Sequence, residues 1–161
     1  KERLFYFHSI ADYVQNVVAH EYTHYRLSEE MAKDGLEEES VPIWLNEGYC
    51  EFVANNVSKK YSPMYEESTE ELFLPYDTLV SNEEWQANAG DYIQALATIK
   101  ELMVIGKKAT IQTILEGIKQ GEEWNSILST SFKIDIGSDE FALLIKKRMK
   151  DFYTEGILFD K

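Results

Sequence analysis

Apolar residues recur at three- and four-residue intervals along most of the chain, the period of amphipathic helices. In the first such stretch Ile10, Tyr13, Val14, Val17, Val18 and Glu21 follow this spacing. The series is apolar until Glu21 and two histidines take over, so a polar cluster is expected close to a buried stripe. Ser9 suits the cap of this helix, which is predicted to run to about Lys33 and to stop at Asp34-Gly35. Glu37 to Glu39 then reads as a surface loop. Pro42, with Ser40 before it, fits the first turn of a second helix carrying Trp44, Leu45, Glu47, Glu51, Phe52 and Val53.

Residues 58–88 lose the period. They hold two of the three prolines and several Tyr and Glu-rich stretches, and predict an irregular excursion with short helical pieces around Glu67-Phe73 and Glu83-Ala87. Helical spacing returns from Asp91, read as a cap, through Val104 to a stop at Gly106. Further helices are expected from Thr110 to Gln120-Gly121, over Glu123-Ser129, and from a Ser138 cap to about Phe152. Strand patterns are confined to Leu4-Phe7 and Gly156-Phe159, both terminal. The expected class is mainly α with little or no sheet.

Composition narrows the function classes. The chain has 161 residues, 44% hydrophobic and 28% charged, which suits one domain with one core. Sixteen basic and 29 acidic side chains give a formal charge of -13. That argues against general nucleic-acid binding, which needs a basic surface to replace phosphate counterions. No apolar run is long enough to span a membrane. Cys50 is the single cysteine, so no intramolecular disulfide forms; it is expected between helices and not as a nucleophile. Lys1 to Phe7 lacks the features of a signal peptide. The chain has no initiator Met and reads as a mature product or an excised domain. A secreted or cell-surface bacterial location, with the signal outside this chain, stays open.

The chemistry concentrates in His20-Glu21-Tyr22-Thr23-His24, an H-E-x-x-H run, and in Trp44-Leu45-Asn46-Glu47-Gly48-Tyr49-Cys50-Glu51 downstream. On a helix His20 and His24 lie about 40° apart in rotation and one turn of about 5.4 Å along the axis. Both imidazoles can therefore reach one metal ion, with Zn–N distances of about 2.0–2.1 Å. Glu21 projects beside them, placed to take a proton from water that zinc has acidified. Such a run also arises by chance on solvated helices; a third ligand downstream makes the metal reading specific. Glu47 follows His24 by 23 residues, enough for the first helix to end and a second to return. Glu51 sits one turn beyond Glu47 on the same face, placed to accept the outer N–H of a metal-binding histidine, His20 first among them. Gly48 is expected to let the backbone pack closely against the first helix, and Asn46 to contribute hydrogen bonds at most. His8 reads as a surface or packing residue.

At these residues the chain resembles the gluzincins, zinc peptidases that bind the metal with two histidines and a glutamate. Trp44-Leu45-Asn46-Glu47-Gly48 is similar to a run in the aminopeptidase N-like family. The size and the later pattern, Asp91-Tyr92-Ile93-Gln94-Ala95, Gly106-Lys107-Lys108, Ile111-Leu115 and Phe141-Met149, look more like bacterial peptidase-MA-like domains. The resemblance covers most of residues 9–152. It implies one Zn2+ per chain on His20, His24 and Glu47, Glu21 as general base, and Tyr92 as hydrogen-bond donor to the oxyanion. Tyr92 also reads as an ordinary core tyrosine, and Tyr61, Tyr65 and Tyr76 as residues that could line a cleft. Zincins place a small sheet ahead of the active helix, whereas about eight residues precede it here. Residues 1–161 are thus expected to be a single zincin-like catalytic domain, in its helical C-terminal portion (active-site helix, Glu-ligand helix, C-terminal bundle), and a fragment of a longer chain.

The expected function is zinc-dependent peptide-bond hydrolysis, with a peptide or protein as substrate and water activated by Glu21. The alternatives are a catalytically idle zinc-binding domain, a non-peptidase zinc hydrolase, a bacterial collagenase-like gluzincin, and a metal-free helical interaction domain. Cleavage specificity, exo versus endo action and oligomeric state are not encoded in these patterns.

Overall fold

The computed structural model describes residues 10–58, 73–76, 79, 85–107 and 110–155. Among them the chain is mainly helical and contains no strand. The helices are α1 (Ile10–Lys33), α2 (Ile43–Ser58), α3 (Ala89–Gly106), α4 (Thr110–Lys119), α5 (Trp124–Ser131) and α6 (Asp139–Glu155), with a 3-10 turn at Glu38–Ser40 between α1 and α2. The Ser9 cap, His8, Tyr61, Tyr65 and both strand candidates lie outside the described residues.

Local chemistry sets the boundaries. Gly35 takes a positive φ of 72°. The Leu36 N–H then reaches the Met31 carbonyl and the Gly35 N–H that of Ala32, a Schellman closure that turns the chain toward α2. The Pro42 carbonyl accepts the N–H of Asn46, so the proline stands just ahead of α2. Asn88, not Asp91, caps α3: its side chain accepts from the Asp91 N–H, and Asp91 answers from the third helical position by accepting from the Asn88 N–H. Asp91 also accepts from Gln86 N–H at 2.8 Å. Ser138 caps α6 by accepting from the Phe141 N–H.

The 58–88 excursion is irregular at residues 73–75 and 85–88, as expected, but its two expected helical pieces are absent where they are described. Phe73 and residues 85–87 are not helical, and Ala87 has φ 53°; residues 67–72 and 83–84 lie outside the description. A helical turn instead closes with Leu79 N–H on the Pro75 carbonyl. Gln94 of α3 clamps Leu74 by donating to its carbonyl and accepting from its N–H.

α2 packs on α1 and on α3, and α3 packs on α4 and α6. The central helix α3 is buried along most of its length, from Gly90 to Leu102. Trp44, Leu45, Leu79, Ile93, Ile99, Leu102, Ile114, Ile145 and Met149 are fully buried around it. Tyr76 is core too, its hydroxyl bonded to that of Thr98, so it does not line a cleft. Gly48 serves a different neighbour from the one expected. A Cβ there would meet the Ala95 carbonyl oxygen at 2.7 Å and Ile99 at 2.9 Å. The close approach is therefore with α3, not α1.

The expected buried stripe of α1 is also corrected. Of that series Tyr13, Val14, Val17 and Val18 are exposed, Val18 at 59%, and Tyr22 and Tyr25 beside them are exposed too. The buried side of α1 runs instead through Asn16, Thr23, Leu27 and Met31. The histidines share that side, because 20 and 24 interleave with 16, 23, 27 and 31 at helical spacing.

Candidate metal centre

His20 and His24 face α2 from one turn of α1, and Glu47 faces them from the first turns of α2. Their ligand atoms, with one from each residue, all lie within 4.8 Å of one another. The two Nε2 atoms are 3.0 Å apart. Glu47 Oε2 lies 3.3 Å from His20 Nε2 and 3.6 Å from His24 Nε2. The rings meet edge to face at 4.8 Å. All three side chains are half-buried.

The outer nitrogens explain why the inner ones converge. His20 Nδ1 lies 3.1 Å from Glu51 Oε1, and a carboxylate accepts, so Nδ1 carries the hydrogen. His24 Nδ1 lies 2.9 Å from Asn46 Oδ1, an oxygen that also accepts from the buried Cys50 thiol at 3.7 Å. In its neutral form each ring thus presents a bare Nε2 to the shared centre, the tautomer a metal ligand requires. Two bare nitrogens 3.0 Å apart repel unless a proton or a cation lies between them. The donor set of two imidazoles and a carboxylate, with outer partners in place, fits a divalent metal ion.

Without a metal, the same carboxylates couple the two imidazoles to protons. Burial works to lower the pKa of His20, but the Glu47 and Glu51 carboxylates outweigh it and raise it to about 9. Glu47 holds a proton on His24 and raises that pKa as well, against burial. Burial works to raise the pKa of Glu47, and the two imidazoles overcome it and pull it down to about 2.

The remaining candidates surround this centre. Glu21 is exposed, on the apolar open side of α1. Its charge reaches inward far enough to help raise the pKa of both Cys50 and Tyr92. Tyr92, on the first turns of α3, stacks edge-on against Trp85 at 5.4 Å. Burial first, then the charges of Glu47, Glu51, Asp91 and Glu21, raise its pKa, so the hydroxyl keeps its proton at neutral pH. Cys50 is fully buried and its thiol is pushed up by burial and the neighbouring carboxylates, leaving an inert thiol. Asn46, given little weight from sequence, holds His24 directly. The available signal was an asparagine beside Glu47 inside a helix, where its propensity is poor.

Comparison with known proteins adds little chemistry. No family model matches the chain, and no solved structure matches it. It is similar to the uncharacterized protein YhcO of Bacillus subtilis (strain 168), 26% identical over 129 residues. The match covers 76% of this chain and 38% of YhcO, so the chain corresponds to well under half of that relative.

Proposed function

We propose that the chain is the helical, metal-binding portion of a gluzincin-type zinc peptidase and hydrolyses peptide bonds. One observation carries the reading: His20 Nε2, His24 Nε2 and Glu47 Oε2 converge while Glu51 and Asn46 hold the outer nitrogens. Donors on a shared tetrahedral zinc stand about 3.3 Å apart for bonds of about 2.0–2.1 Å. The three separations, 3.0, 3.3 and 3.6 Å, bracket that value.

When bound, zinc supplies Lewis acidity, polarising a carbonyl and acidifying water. Glu21, on the solvent-facing side, takes the proton of the attacking water and returns it to the leaving amine. Tyr92, protonated at neutral pH, donates a hydrogen bond to the developing oxyanion. Glu51 and Asn46 keep the imidazole rings from rotating away. A structural metal site has no use for a base, so Glu21 favours hydrolysis over idle metal binding.

Glu21→Gln tests this reading in the whole gene product with a peptide library as substrate. It should retain zinc at wild-type stoichiometry and lose at least about 10²-fold in rate, the low end for a general base. An unchanged rate would remove Glu21 from that role.

A further inference from the structure

Glu47, Glu51 and Asn55 follow one another at four-residue spacing along one side of α2. Glu47 faces the inner nitrogens of the histidines and Glu51 faces His20 Nδ1. Asn55 is fully buried. Its amide nitrogen donates to the Glu51 main-chain oxygen at 2.6 Å and to Glu51 Oε2 at 3.2 Å. Both partners only accept, which fixes the amide with its nitrogen toward Glu51. The carboxylate of Glu51 is therefore divided, with Oε1 on His20 and Oε2 on Asn55.

The fold alone gives no reason for an asparagine here. Asn55 Oδ1 is buried with no hydrogen-bond partner among the described residues, a cost an apolar side chain would not carry. Asparagine is also a poor choice within a helix. What the side chain does accomplish is to hold the second oxygen of Glu51, so that the carboxylate cannot swing away from the histidine.

We propose that Asn55 is a positioning residue of the metal centre. Acting through Glu51, it fixes the ring of His20 with Nε2 aimed at the point shared with His24 and Glu47. The inference rests on reading those three residues as zinc ligands.

Zinc affinity of the full chain, measured by competition with a chromophoric chelator, tests it in five proteins: wild type, Asn55→Leu, Asn55→Ala, Glu51→Ala, and the double variant of Glu51→Ala with Asn55→Leu. Asn55→Leu roughly keeps the volume and removes the orphan oxygen, so its unfolding midpoint should stay or rise. Its zinc affinity should nevertheless fall about tenfold, the low end for outer partners of metal-binding histidines. In the Glu51→Ala background the same change should alter affinity by less than about twofold, because its route to the metal is gone. An unchanged affinity in Asn55→Leu would overturn the proposal. So would an equal loss in both backgrounds, or loss of the helical spectrum in both Asn55→Leu and Asn55→Ala, since either would make Asn55 a residue of the fold. A wild-type chain that takes up no zinc would remove the metal reading itself, a result distinct from these.

Discussion

His20 is held from two sides, by Glu51 on Nδ1 and by Glu47 near Nε2, and this makes the metal-free centre a proton-binding site. Its pKa is raised to about 9 from an ordinary 6.5. Its stabilising contribution is thus fully present below pH 6.5 and is lost as pH rises through 9. Glu47 is lowered to about 2 from 4.5. Its contribution is present above pH 4.5 and is lost as pH falls through 2. With a chelator present, the urea midpoint should therefore be highest between these windows and fall from pH 6.5 towards 9. With zinc present the trend should reverse over that range, because the metal competes with the proton for Nε2. A flat chelated profile would contradict the coupled cluster. At this scale the sequence was most informative where spacing alone places side chains: four residues between His20 and His24, four between Glu47 and Glu51. It was least informative about Asn46 and Asn55. Their partners depend on which side of α2 meets α1 and on a rotamer, and neither follows from spacing.

The helices themselves were readable because period and termini agree. Gly35 ends α1 and Ser138 caps α6 as their residue types predict. Asn88 and Asp91 carry a reciprocal capping signature three residues apart, and a cap read at Asp91 falls inside the helix. The apolar stripe of α1 shows a deeper limit. Spacing identifies Val14, Val17 and Val18 as sharing a side, but not whether another element lies against it, and here that side is exposed. Gly48 shows the same limit: its smallness announces a close approach, and only the packing reveals α3 as the neighbour. The contact leads to a prediction. Gly48→Ala must displace the Ala95 carbonyl oxygen, now 2.7 Å from where the methyl would stand. It should destabilise the chain by about 1–3 kcal/mol, the usual cost of overpacking. The unfolding midpoint checks this, and a wild-type midpoint would mean that α2 and α3 are not so tightly joined. Because Gly48 adjoins Glu47, zinc affinity should fall with it.

At the scale of the whole molecule, the scarcity of strand pattern announces a mainly helical chain, as the described residues are, and no helix among them is long and apolar enough to cross a membrane. The arrangement of α1 and α2 brings residues far apart in sequence to one point: His20 and His24 from the first helix and Glu47 from the second. The formal charge of -13 favours the approach of cations to the chain as a whole. An ion that binds only the folded chain also adds stability in proportion to its affinity, so zinc should raise the unfolding temperature. The most direct measurement is the metal content of protein purified without added zinc, followed by titration. The account predicts one equivalent of zinc per chain, either as purified or after uptake, and its loss in His20→Ala. Less than about a tenth of an equivalent, with no uptake on titration, would contradict it.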